Sequence, residues 1–158
     1  MTPCLSHLLH QALFGGIAAA GFGILFNCPP RIIGLCFGAG ALALAMRTAG
    51  LDAWGLNLPM SSFFAALLLA VADRSWQEAQ SLRSSVVAVV GCIPMVPGSL
   101  VAVGLKNLFM LLKATPGEGV LPATAAVESF VIVTCTLAAI GTALAIPSLA
   151  FPAKRRLE

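Results

Sequence analysis

Five apolar stretches, each long enough to cross a bilayer, follow one another with almost no polar sequence between them. Spans are expected at about 8–26, 32–49, 54–76, 85–113 and 121–146. A water-soluble fold of 158 residues could not bury so much apolar surface, so the bilayer must act as its solvent. Composition agrees: 59% of residues are hydrophobic, 9% are charged and the mean hydropathy is +0.97. A soluble domain carries roughly a quarter charged residues. The expected fold class is therefore all-α integral membrane, with about five transmembrane helices in a single domain over 1–158.

Polar residues mark the span ends. Met1 to Gln11 contain no Lys or Arg, so the first apolar run reads as a retained span and not as a signal peptide. Pro29-Pro30 stop it, and Arg31 marks an interface. Trp54 and Trp76 bracket span three, roughly 33 Å apart if the stretch between them is helical. Asp73, Arg74, Glu78 and Arg83 form the longest polar connection, and Pro147, Pro152 and Lys154-Arg155-Arg156 end span five. Six basic residues (Arg31, Arg74, Arg83, Lys154, Arg155, Arg156) fall on the face of the C-terminus, against Arg47 and Lys113 on the other. That asymmetry places the C-terminus in the cytoplasm and the N-terminus outside. The net charge of +3 is scattered over helix ends, so lipid and not nucleic acid is the expected surrounding.

The chemistry available is narrow. Cys4, Cys28, Cys36, Cys92 and Cys135 include no CxxC pair, and Cys4 and Cys28 fall on opposite faces, so neither a disulfide nor a zinc site is expected. His7, His10 and Gln11 share a helix face, but with no third ligand nearby they read as interface solvation, not as a metal site. No cofactor is implied, and no nucleophile–base motif suggests an enzyme. Gly34 and Gly38 form a GxxxG step, a helix-packing signal compatible with a subunit interface.

The most informative feature is Ile93-Pro94-Met95-Val96-Pro97-Gly98 inside span four. Pro94 should free the carbonyl of Val90 and Pro97 that of Ile93, because neither proline has an N–H to donate. Gly98 adds flexibility, and Ser99 is expected to cap a new half-helix over 100–112 whose first amides face the break. A helix start at membrane depth can take a carboxylate. The alternative is a simple proline kink whose carbonyls are met by neighbouring hydroxyls. Lys106 and Glu128 should lie roughly 10 Å from one face on consecutive antiparallel helices. They read first as a structural ion pair and second as a proton or substrate relay. Arg31, beside Asn27, either clamps a carboxylate or serves as one cytoplasmic anchor among six.

Two segments, Gly21-Phe22-Gly23-Ile24-Leu25-Phe26-Asn27-Cys28-Pro29-Pro30-Arg31 and Ile93-Pro94-Met95-Val96-Pro97-Gly98, resemble the small, five-span half of the threonine/serine exporter family. Length, span count and the basic tail after Ile146-Pro147 agree, so the resemblance covers essentially the whole chain. It implies proton-coupled secondary export, across a bacterial cytoplasmic (inner) membrane, of a small carboxylate substrate, threonine and serine or a dicarboxylate such as succinate. It also implies a membrane protein complex with a larger subunit of the same family. The substrate site is expected around Pro94, Pro97, Gly98 and Ser99, with Asn27 and Arg31 contributing from the end of span one. The alternatives are a structural or assembly subunit that binds no substrate, and a homo-oligomeric channel.

Overall fold

The computed structural model describes the backbone of residues 3–80, 86–113 and 119–150, and the side chains of 5–76, 86–113 and 119–150. Arg83, Pro152 and the Lys154-Arg155-Arg156 tail lie outside the described residues, and so does much of the charge asymmetry built on them. The described residues form helices and no strand: α1 Pro3–Leu25, α2 Pro30–Asp52, α3 Leu58–Gln80, α4 Val86–Cys92, α5 Gly98–Lys113 and α6 Val120–Ala150. Four of them, α1, α2, α3 and α6, are each long and apolar enough to cross a membrane. The pair α4 and α5, bent by 45° at the proline break, makes a fifth candidate crossing when the two are counted as one broken span. The all-α membrane architecture is as the hydropathy required.

The α1–α2 hairpin turns on backbone chemistry. Asn27 adopts φ 56°, the left-handed region that Asn tolerates better than most residues. This lets the Cys28 amide reach Gly23 O and the Asn27 amide reach Ile24 O, both at 2.9 Å. Those two bonds are the 6→1 and 5→2 pair that closes a helix C-terminus. Pro29 and Pro30 then start α2, where a missing N–H costs nothing.

Small residues bring the helices together. A Cβ at Gly40 would overlap the carbonyl of Gly15 and the Cβ of Ala19, so α1 and α2 touch backbone to backbone there. At Gly91 a Cβ would sit 2.8 Å from Ala39 Cβ and Leu69 Cδ2, which lets α4 nest between α2 and α3. The main core gathers Ala39, Ala43, Ala65, Ala66, Leu69, Ala88, Cys92, Met95, Ile140 and Ala143. On α6 the buried positions Ala126, Ser129, Val133, Thr136, Ile140, Ala143 and Pro147 alternate steps of three and four, the seam of a coiled-coil-like packing. The GxxxG pair Gly34 and Gly38 does no such work inside the chain, since added Cβ atoms would meet open space.

Three boundaries differ from the sequence reading. Pro147 lies within α6, buried, and the helix runs on to Ala150. In an apolar medium, abandoning the helix would strand more backbone groups than the one bond proline removes. Trp54 stands in the turn beside Gly55 (φ 60°), and α3 begins only at Leu58, so the two indoles do not mark the ends of one helical run. Asp73 belongs to no polar connection: α3 extends to Gln80 and buries it. It follows Ser62, Ala66 and Leu69 at helical spacing on one buried face.

Candidate functional site

The break itself is built from a short 3₁₀ turn, Ile93–Met95, and an extended residue, Val96 (φ −62°, ψ 124°). A residue before proline is pushed out of the helical region, so Pro97 dictates Val96 and Val96 dictates the bend. The Val96 amide donates to Ile93 O at 3.1 Å, which satisfies the carbonyl that Pro97 was expected to leave bare. The carbonyl that seeks an outside donor is Met95 O, and Arg47 Nη1 on α2 donates to it at 2.8 Å.

Past the break, α5 starts at Gly98, so Ser99 sits inside the first turn and is not its capping residue. The Gly98 amide is spent on Val96 O at 2.8 Å, and the amides of Leu100 and Val101 on Pro97 O at 3.1 and 3.3 Å. The Ser99 amide makes no such bond among the described residues. The expected fan of free amides is therefore reduced to one, and Arg47 is the stronger anion-binding group at this place.

Arg47 and the break form one wall of a cavity of about 290 Å³. Pro94, Val96, Pro97, Gly98 and Ser99 line it from the break, Leu44, Arg47, Thr48, Leu51 and Asp52 from α2, and His7 and Gln11 from α1. That size suits a small metabolite. At its rim His7 Nδ1 meets Asp52 Oδ2 at 2.9 Å, and Gln11 Nε2 lies 3.5 Å from His7 Nε2. Both charge signs thus occur within one small space: a guanidinium with donors to spare beyond Met95, and a carboxylate held by an imidazole.

The structure brings Pro94, Pro97, Gly98 and Ser99 to this cavity, but not Asn27 or Arg31. Arg31 is sixteen residues before Arg47 on α2, about 24 Å along the helix, and both Arg31 and Asn27 are exposed at the opposite end. Asn27 has a backbone task there, closing α1. Lys106 and Glu128 share the α5–α6 hairpin but make no ion pair within 4.0 Å. Gly104 packs on Ser129 and Phe130, and this defines the seam. Two residues on from Gly104 is about 200° round the helix, and one residue before Ser129 about 100°, so both charges leave the seam.

Sequence reasoning did not single out Arg47, Thr48 and Asp52, which line the cavity, and read His7 and Gln11 as interface solvation. A signal did exist: Arg47, Thr48 and Asp52 place three polar groups in the last turns of an otherwise apolar helix.

A family model described as Threonine/Serine exporter, ThrE, matches residues 11–150. That stretch contains the proline break, the whole of α2 and all lining residues of the cavity except His7. No solved structure matches the chain.

Proposed function

The chain belongs to the threonine/serine exporter family, a family of transporters and not enzymes, and we propose that its substrate site is the cavity where Arg47 meets the proline break. The carrying observation is the Arg47–Met95 bond beside Asp52. An α-amino acid bears a carboxylate and an ammonium a few ångströms apart. Arg47 suits the first by bidentate donation, and Asp52 suits the second. A dicarboxylate such as succinate would put its second carboxylate against Asp52, so the cavity favours threonine or serine.

The bound carboxylate takes the Nη1 edge of the guanidinium, the donor now spent on Met95 O. Substrate arrival thereby loosens the contact between α2 and the break, and departure restores it. A site that changes its own walls in this way can open alternately to either face, as secondary export requires. Coupling to protons, a larger subunit of the same family and a bacterial inner membrane with the C-terminus cytoplasmic belong to the same reading. What supports the cytoplasmic C-terminus is the basic asymmetry of the sequence.

The test is export from cells or vesicles that contain the chain and the larger half, with threonine, serine and succinate as substrates and with and without a proton gradient. Amino-acid export should collapse in Arg47→Gln, by at least about tenfold for each 1.4 kcal/mol lost. Unchanged export by a well-expressed Arg47→Gln protein would move the site elsewhere. A scaffold subunit would show no dependence on Arg47, and a channel would pass ions without saturation. Cysteine accessibility at Ser6 and Arg156 decides the orientation: labelling of both from one side would overturn the assignment.

A further inference from the structure

Helix α5 packs along α6, and none of α1, α2 or α3 packs along its length. Ile140 of α6 shares the core with Ala65 and Leu69 of α3. Glu128 lies twelve residues above Ile140, about 18 Å along α6, whereas α3 ends seven residues above Ala65, about 10 Å. The level of Glu128 and Lys106 is therefore past the end of α3, where no other helix among the described residues covers them. Both side chains are exposed, as are Leu105, Phe109, Val127 and Val131 around them.

Their heights match. Lys106 is two residues from Gly104 toward the hairpin tip, about 3 Å, and Glu128 is one residue from Ser129 toward the same tip, about 1.5 Å. Of the three charges on the described hairpin, Lys106, Lys113 and Glu128, one cation and one anion thus stand level on neighbouring helices without touching. In an apolar surrounding each is costly until it finds a partner.

We propose that a second copy of this chain docks on the α5–α6 hairpin, with Lys106 of each copy paired to Glu128 of the other. A two-fold axis along the hairpin preserves height, and it makes every i-to-j contact occur twice. A surface with a level plus and minus is complementary to itself under that operation, whereas an unrelated partner would have to supply both charges in reverse. The exposed Leu, Phe and Val side chains provide the apolar remainder. This dimer goes beyond the proposed transport site and does not depend on it, because its readout is association and not export.

Two differently tagged copies, co-expressed and extracted in mild detergent, test it by co-purification, with membrane levels of each copy measured alongside. Wild-type copies should co-purify. Two Lys106→Glu copies, or two Glu128→Lys copies, should lose recovery at least tenfold, since each pairing surface then has one sign only. A Lys106→Glu copy mixed with a Glu128→Lys copy should recover wild-type association, because both pairs re-form between the two different chains. Pairing within one chain cannot produce that rescue. The proposal is overturned if wild-type copies do not associate, if single reversals leave association intact, or if the mixed pair fails to associate while both chains reach the membrane at normal levels.

Discussion

The two ends of the α1–α2 hairpin solve opposite problems. At one end Asn27, Pro29 and Pro30 close the backbone on itself, and the only charged side chain there, Arg31, points outward. At the other, His7 and Asp52 join the helices through side chains, and Arg47 reaches across to the break. The first end is settled by local chain geometry. The second is settled by groups far apart in sequence, which leaves polar atoms facing a space a molecule can enter. A distinctive motif such as the one at Asn27 can thus mark architecture, while Arg47, Asp52 and His7 come together around a cavity without forming any motif in sequence.

The sharpest way to break that contrast is at the proline break. Replacing Pro94 and Pro97 together with Ala should let α4 and α5 merge, since proline in a helix interior costs about 3 kcal/mol relative to alanine. The protein should still insert, while export falls by more than tenfold, about 1.4 kcal/mol in the transition state. Normal export rates in the double variant would make the bend a convenience of packing.

The contrast also predicts where glycine matters. Gly40→Val forces overlap between α1 and α2 and should cost about 1–3 kcal/mol or more, read as a large drop in thermal midpoint in detergent. Gly34→Val meets open space and should shift stability by no more than about 0.5 kcal/mol within the single chain. Equal effects at the two positions would mean that the α2 face bearing Gly34 is covered.

At the cavity rim, Asp52→Asn removes the partner of His7. Both side chains are partly exposed, so the stability loss should be at most about 1 kcal/mol. Apparent affinity for an amino acid should nevertheless weaken about tenfold, equivalent to about 1.4 kcal/mol, if the ammonium rests there. An unchanged concentration dependence of export would remove Asp52 from the site.

The smallest effect on export belongs to the closed end. Asn27→Ala must hold a left-handed backbone at a cost of about 1–2 kcal/mol, whereas Asn27→Gly should be close to neutral. Export by both should match wild type once corrected for protein level. A transport defect in Asn27→Gly would return this end to the site.

These differences show what the sequence could and could not reveal. The spans and the break were legible because hydropathy and proline act locally: Pro97 fixes Val96, and Val96 fixes the bend. Asn27 was singled out as a candidate site residue, and its part in closing α1 was not legible, since a left-handed φ cannot be read from a residue name. Arg47 was passed over as an interface anchor because its partner, Met95 O, is 48 residues away and is a backbone atom with no side-chain signature. Lys106 and Glu128 were matched correctly in height but not in azimuth, because azimuth depends on which residues form the seam, and Gly104 shows that only once packed.

The position of Arg47 along α2 has an electrical consequence. Five residues separate it from Asp52 and the nearer face, about 8 Å, while seventeen separate it from Pro30 and the farther one, about 26 Å of tightly packed helix. Most of a membrane voltage therefore drops over the packed side. A net charge carried between the cavity and the far face works against nearly the whole of it, about 2.3 kcal/mol per 100 mV, and against little of it on the short side. A zwitterion escapes that toll in both directions. For a cavity set this far off centre, the substrate that moves most evenly is one with no net charge.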